Sequence, residues 1–180
     1  MRQPTGKKKG AGSSRLTFVA LDFETADNGY DSACALGMVK VPGDKIIERA
    51  HYLIRPPRRE FVHTNLHGIT WEDVAGEPNF KTIWPNVRDF IKDADFLAAH
   101  NADFDSEVLY ACCKRARLKR PTHRFVDTVE LSDRAWGIYP RKLPDVCRHL
   151  GIRLKHHDAL SDAEACARIV IAAMKEGIAP

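Results

Sequence analysis

The sequence predicts an α/β fold: a mixed sheet of three antiparallel strands followed by two parallel strands, with helices on both faces. Three short apolar segments joined by tight connections come first, which is typical of an antiparallel start. After residue 80, apolar residues with helical spacing alternate with short apolar runs, which favours parallel strands linked by helices. Because the chain has 180 residues and no internal repeat, we expect one domain over residues 16–176.

The first three strands are predicted at residues 16–23, 33–41 and 45–54. The first is a nearly continuous apolar run, which is typical of a central strand buried on both faces. A Pro-Gly-Asp turn signal at residues 42–44 separates the second strand from the third. Consecutive prolines in residues 55–59 disfavour both helix and sheet, so this segment is predicted to be a surface loop.

The remaining elements alternate between helix and strand. Apolar residues recur at every third or fourth position from Phe80 to Ile91, which predicts a helix. Two short strands are predicted at residues 96–99 and 125–126. The other predicted helices are one marked by Val108, Leu109 and Cys112, and three at residues 128–136, 143–150 and 160–175.

The positive charge is concentrated at the amino terminus. Of 28 Lys and Arg residues, five lie in residues 1–15, which contain no acid, so the rest of the chain carries 23 cations against 24 acids. The overall charge is therefore no argument for nucleic-acid binding. We expect residues 1–15 to be a disordered basic tail, either a solvated leader or an arm that contacts phosphates.

Apolar runs and cysteines indicate a cytoplasmic protein. No apolar run approaches the roughly 20 residues that a membrane-spanning helix needs, and the tail lacks the apolar segment of a secretory signal. Five cysteines occur without a Cys-x-x-Cys pair, and four lie in apolar-periodic segments. This usage predicts buried free thiols in a reducing compartment, with neither disulfides nor zinc.

Carboxylates follow the first predicted strand. Asp22 and Glu24 are two residues apart, so on a strand both side chains point to the same face. They stand at the carboxyl end of the expected central strand, where ligands bind in open α/β sheets. Two adjacent acids repel each other unless a cation lies between them, so the pair indicates either a divalent-metal site or a solvated strand end.

Two further acidic segments follow later elements of the chain. Asp105 comes just after the strand at 96–99, where it is either a site residue or a carboxylate that complements a helix dipole. Asp162 begins the last helix, where it either faces the sheet or is a surface acid of the first turn. His157 lies in the loop before that helix and can reach the same place.

These segments resemble, in order, the three motifs of the DEDDh 3′→5′ exonucleases, above all the branch of the proofreading epsilon subunit of DNA polymerase III and its free-standing bacterial relatives. The matching residues are Asp22-Phe23-Glu24-Thr25, Asn101-Ala102-Asp103-Phe104-Asp105, and His157 with Asp162 five positions later. The sequence His67-Gly68-Ile69-Thr70 is similar to the substrate-side turn of the family. The resemblance covers residues 17–172 and implies a ribonuclease H-like fold.

The resemblance also implies roles for individual residues. Asp22, Glu24, Asp105 and Asp162 would hold two Mg²⁺ or Mn²⁺ ions, which matches the preference of these hard cations for oxygen ligands. His157 would be the general base, with His156 as its competitor. The residues expected to contact the terminal nucleotides are Thr25, His67, Ile69, Asn101 and Phe104, with core packing as the alternative for Ile69 and Phe104.

The implied activity is hydrolysis of single-stranded DNA from its 3′ end, releasing nucleoside 5′-monophosphates. An exoribonuclease that trims short RNA or RNA 3′ ends is the alternative, and a non-catalytic nucleic-acid-binding module is the third possibility. No segment for tethering a polymerase follows the last helix, so a stand-alone repair or scavenging nuclease is expected. Basic residues expected to form a track for the strand are Arg55, Arg58, Arg59, Lys114, Arg115, Arg117, Lys119, Arg120 and Arg124. For the last six of these, a solvated helix end is the alternative.

Overall fold

The computed structural model describes residues 16–180, so the expected basic tail lies outside the described residues. Its strands are β1 (Thr17–Thr25), β2 (Ala33–Pro42), β3 (Glu48–Leu53), β4 (Phe96–Ala99) and β5 (Phe125–Asp127). They form one sheet with the order β3-β2-β1-β4-β5. β1, β2 and β3 pair antiparallel, whereas β4 lies parallel to both β1 and β5. The predicted mixed sheet is confirmed.

Seven helices occur in residues 16–180. They are α1 (Thr64–His67), α2 (Trp71–Val74), α3 (Phe80–Ile91), α4 (Ala102–Ala116), α5 (Thr128–Trp136), α6 (Leu143–Leu150) and α7 (Ala159–Lys175). Their ends follow local chemistry: Asn79 caps α3 by accepting a hydrogen bond from the Thr82 N–H, and Gly151 ends α6 with a positive φ of 65°. None of these helices is long and apolar enough to cross a membrane.

The two faces of the sheet carry separate hydrophobic cores. α3 and α4 cover one face, where they pack on alternate residues of β1 such as Val19 and Leu21. α5, α6 and α7 cover the other face, where Phe18 and Ala20 are buried. Helices on both faces are therefore confirmed, and β1 is the central strand that its apolar sequence predicts.

Two details differ from the sequence prediction. β3 begins at Glu48 instead of residue 45, because the turn after β2 is longer and the Ile47 N–H donates to the Lys40 carbonyl over 3.0 Å. α1 and α2 were not predicted, since four residues are too few to show helical periodicity. Residues 55–59 form the predicted loop. All five cysteines are buried and free, as predicted.

Candidate metal centre and cleft

The register of β1 decides which way its acids point. Because side chains alternate along a strand, Asp22 and Glu24 share the face of Phe18 and Ala20, which α7 covers. The apolar residues of β1 thus fix the orientation of the two carboxylates that follow them.

Gly37 lets α7 approach these acids. It lies opposite Asp22 in the pairing of β1 with β2. A Cβ atom at this position would lie 2.1 Å from the carbonyl oxygen of Ala159, the first residue of α7. The first turn of α7 therefore rests directly on the sheet backbone. As a result, carboxylate oxygens of Asp22, Glu24 and Asp162 lie within 4.8 Å of one another.

Asp105 reaches the same end of the sheet from α4. The pairing of β4 with β1 ends at Ala20, so the later backbone N–H groups on this edge of β1 have no partner in β4. The N–H of Phe23 instead donates to Oδ1 of Asp105 over 2.8 Å. This bond fixes the buried carboxylate of Asp105 beside Asp22. The charge of Asp105 raises the pKa of Asp22.

The electrostatics of these carboxylates fit a cation. Burial raises the pKa of Asp22 well above its usual range, and the charges of Asp105, Asp162 and Glu24 raise it further. Burial and the charge of Asp162 raise the pKa of Glu24 to about 7. Oδ1 of Asp162 is buried without a hydrogen-bond partner. Clustered oxygen ligands and an unsatisfied buried oxygen suit a hard divalent ion such as Mg²⁺ or Mn²⁺.

Two histidines contact Asp162. The His156 ring donates from Nδ1 to Oδ2 of Asp162 over 2.9 Å, and the backbone N–H of His157 donates to the same oxygen over 3.0 Å. The two rings stack with centroids 3.8 Å apart. His157 has a positive φ of 65°, and burial together with the neighbouring His156 lowers its pKa. Both histidines therefore belong to the site, with different contacts.

A cleft of about 720 Å³ opens above the carboxylates. It is lined by Thr25, His67, Asn101 and Phe104 of the expected nucleotide-contacting residues. Ile69 does not line this cleft: its N–H donates to Nδ1 of His67 over 3.0 Å, so it shapes the turn instead. Because the Thr25 carbonyl can only accept, Nε2 of His67 donates to it over 3.2 Å. Since Nδ1 accepts from Ile69, the ring carries one proton and is neutral.

Two of the nine basic residues that the sequence singled out form ion pairs within the protein. Arg58 binds both Asp27 and Asp31, with distances of 2.8 and 2.6 Å, and Arg115 also binds Asp31. None of the nine basic residues singled out in the sequence lines the cleft. Arg141 and Lys142 line it instead. Sequence reasoning missed them; the available signal was a pair of cations in the loop before α6.

Comparisons with known proteins identify the family of this chain. Residues 19–170 match the family model RNase_T, described as Exonuclease. The DNA polymerase III PolC-type of Thermotoga maritima is 31% identical over 159 residues, which cover 86% of this chain and 12% of that relative.

Two solved structures share the fold. Exonuclease X in complex with 5′ overhanging duplex DNA has a TM-score of 0.71 and 23% identity, covering 88% of this chain and 91% of its own. The nuclease domain of 3′hExo, a DEDDh family member bound to rAMP, has a TM-score of 0.77 and 21% identity, covering 93% and 96%.

The chain belongs to the exonuclease family. Its mixed sheet is the ribonuclease H-like fold, and both family and fold agree with the resemblance to DEDDh 3′→5′ exonucleases that the sequence motifs indicate. The chain spans only 12% of the length of the PolC-type relative, so the activities of that whole polymerase are not transferred to it.

Proposed function

We propose that this protein is a divalent-metal-dependent exonuclease that removes nucleotides from the 3′ end of single-stranded DNA and releases nucleoside 5′-monophosphates. The observation that carries this proposal is the meeting of Asp22, Glu24 and Asp162 within 4.8 Å, beside the buried Asp105. These residues come from β1, α4 and α7, and they lie at the base of one cleft.

The four carboxylates would hold two Mg²⁺ or Mn²⁺ ions. When bound, the ions supply Lewis-acid stabilisation of the attacking and leaving oxygens of a phosphodiester. Four negative charges balance two divalent cations, which removes the repulsion that raises the pKa of Asp22 and Glu24. The protein's contribution is to hold these acids together before any substrate arrives.

His157 is the proposed general base. Its lowered pKa keeps the imidazole neutral near pH 7, so that a ring nitrogen can accept a proton from the attacking water. Such a base typically contributes about 10²–10⁴-fold to the rate. His156 already uses Nδ1 on Asp162, and this contact suits orientation of the carboxylate.

The terminal nucleotide would be held by Thr25, His67, Asn101 and Phe104, which line the cleft, while Ile69 would act through the turn that positions His67. Phe104 is half-buried at the cleft, and Tyr30 supports its ring from the edge with centroids 6.0 Å apart. A braced aromatic face stacks on any base, which suits an enzyme that must act without regard to sequence. His67, neutral and bonded at both nitrogens, would fix the turn beside it.

RNA is the second candidate substrate. The similar polymerase relative is named for DNA, whereas the 3′hExo neighbour was solved with rAMP. The distinction depends on contacts to the terminal 2′-hydroxyl.

Matched DNA and RNA single strands, labelled at the 5′ end, would be incubated with Mg²⁺, with Mn²⁺ and with EDTA. We expect metal-dependent shortening from the 3′ end, faster on DNA. The variant Asp22→Ala should retain the fold and lose cleavage, and unchanged turnover in it would refute the site. Faster trimming of RNA would establish the alternative.

A further inference from the structure

One wall of the cleft is the loop between α5 and α6. Pro140, Arg141, Lys142 and Leu143 line the same cleft as the four carboxylates. Arg141 and Lys142 are exposed and stand in the last residues before α6. No motif residue of the family lies in this loop, so the function proposed above leaves it unassigned.

The charge of this wall is opposite to that of the base of the cleft. Among residues 16–180, Arg141 and Lys142 are the lysine and arginine side chains that line the cleft. Arg141 forms an ion pair with Asp133, in which Nη1 and Oδ2 are 3.4 Å apart. Lys142 forms no ion pair with any residue of the described part of the chain, which leaves its ammonium available to an anion. A polyanionic strand whose 3′ end enters beside four carboxylates is attracted by such a cation on the wall of the cleft.

The wall is tied to the end of the sheet. His100 follows β4 directly, and its Nε2 lies 2.9 Å from the carbonyl oxygen of Arg141. Because a carbonyl can only accept, Nε2 carries the proton, and Nδ1 accepts from the hydroxyl of Thr128 over 2.8 Å. The ring thus uses both nitrogens to hold the backbone of the loop beside the strand end from which α4 begins. The backbone that carries Lys142 is therefore held on the wall of the cleft before substrate binds.

The same loop presents an exposed aromatic ring. Tyr139 has 88% of its surface exposed, more than any other large hydrophobic side chain in residues 16–180. It is the chain neighbour of Pro140, which lines the cleft. An exposed ring next to a residue that lines the cleft can stack on a base of any sequence.

We propose that this loop binds the strand on the 5′ side of the bond that is cut, with Lys142 on a backbone phosphate and Tyr139 against a base. This inference rests on the exonuclease function proposed above and adds to it a binding subsite beyond the terminal nucleotide. The subsite acts on the polymer and not on the reacting bond, so it affects long substrates selectively.

The experiment compares two substrates across matched lysine variants. One substrate is a ten-residue DNA single strand, and the other is the p-nitrophenyl ester of thymidine 5′-monophosphate, which has a scissile bond but no further nucleotides. The variants are Lys142→Ala and, as a control, Lys45→Ala. Lys45 is likewise an exposed lysine in a loop, but it lines a separate groove of about 1040 Å³ between the turn after β2 and α7.

We expect Lys142→Ala to raise KM for the ten-residue strand about tenfold, to leave kcat within twofold, and to leave the ester unaffected. The slope of log affinity against log salt should fall by about 0.7, the loss of one phosphate contact to a single strand. Tyr139→Ala should also raise KM for the strand, and Tyr139→Phe should restore it because the ring is kept. Lys45→Ala should match the wild type.

Equal KM values for Lys142→Ala and Lys45→Ala would overturn the inference. An equal loss on the ester would also overturn it, because the lysine would then act at the reacting bond or on the fold. Failure of the exonuclease proposal is visible separately, as wild-type protein that cuts neither substrate. In that case fluorescence anisotropy of a labelled strand decides: about tenfold weaker binding by Lys142→Ala supports the loop as a strand-binding surface, and equal binding refutes it.

Discussion

Replacing Gly37 with alanine tests the contact that brings α7 to the sheet. The added Cβ atom would lie 2.1 Å from the Ala159 carbonyl oxygen, whereas an ordinary contact needs about 3.4 Å. The backbones of β2 and α7 must therefore separate by about 1 Å. Both are main chain in regular structure, so neither has a side chain that can rotate away.

The expected cost follows from this displacement. Overpacking a core typically costs about 1–3 kcal/mol, and a clash between two backbones lies at or above the upper end of that range. Since α7 carries Asp162, a shift of about 1 Å also moves that carboxylate away from Asp22, and displacement of this size in an active site can cost about 100-fold in rate. Gly37→Ala should therefore lose stability and activity together.

The assay pairs urea unfolding with cleavage of a labelled single strand. Gly76→Ala is the control, because a Cβ atom at Gly76 meets nothing within 4 Å and the residue has no positive φ. We expect the control to differ from the wild type by less than about 1 kcal/mol. A Gly37→Ala variant that unfolds at the wild-type urea concentration and cleaves at the wild-type rate would refute the reasoning.

Three further predictions concern the histidines, the ion pairs and the metal. His157→Gln should lower kcat by about 10²–10⁴-fold with an unchanged Mg²⁺ titration, whereas His156→Gln should retain more activity; loss of Mg²⁺ affinity in the former would refute its role as base. Arg58→Ala should lower the free energy of unfolding in urea by about 1–3 kcal/mol at pH 7. The loss should be smaller near pH 3, because the bonds to Arg58 lower the pKa of Asp27 and Asp31 and stabilise the fold only while these acids are ionised. EDTA should lower Tm at pH 8 through carboxylate repulsion, and by less at pH 5, because Glu24, with a pKa of about 7, takes up a proton as the pH falls; an equal effect at both pH values would contradict this.

Much of the fold was predictable because its signals are local. The apolar run of β1 and the helical spacing of α3 each identify their element within a few residues. The acids that converge in the structure could also be singled out from the sequence, because they stand at the end of a buried strand or at the start of a helix. Their convergence depended on the sheet order, which the alternation of elements predicts.

The remainder depends on contacts between distant segments. No local pattern shows that Arg58 is bound by Asp27 and Asp31, which lie 31 and 27 residues earlier, so it was grouped with free cations. Arg141 and Lys142 reach the cleft through tertiary contacts of their loop, such as the hydrogen bond from His100, which precedes Arg141 by 41 residues. The importance of Gly37 is likewise invisible in sequence, since Ala159 meets it only after α7 has packed.

The buried thiols make this chain convenient for spectroscopic labelling. Burial raises the pKa of Cys34, Cys112 and Cys113 to about 12 and that of Cys147 to about 11, and the pKa of Cys166 is also raised. Almost none of these sulfurs is ionised at neutral pH, so maleimide reagents would meet little competition from them. A single cysteine introduced at the exposed position 139 could then carry a fluorophore one residue from the wall of the cleft, without removal of any native cysteine.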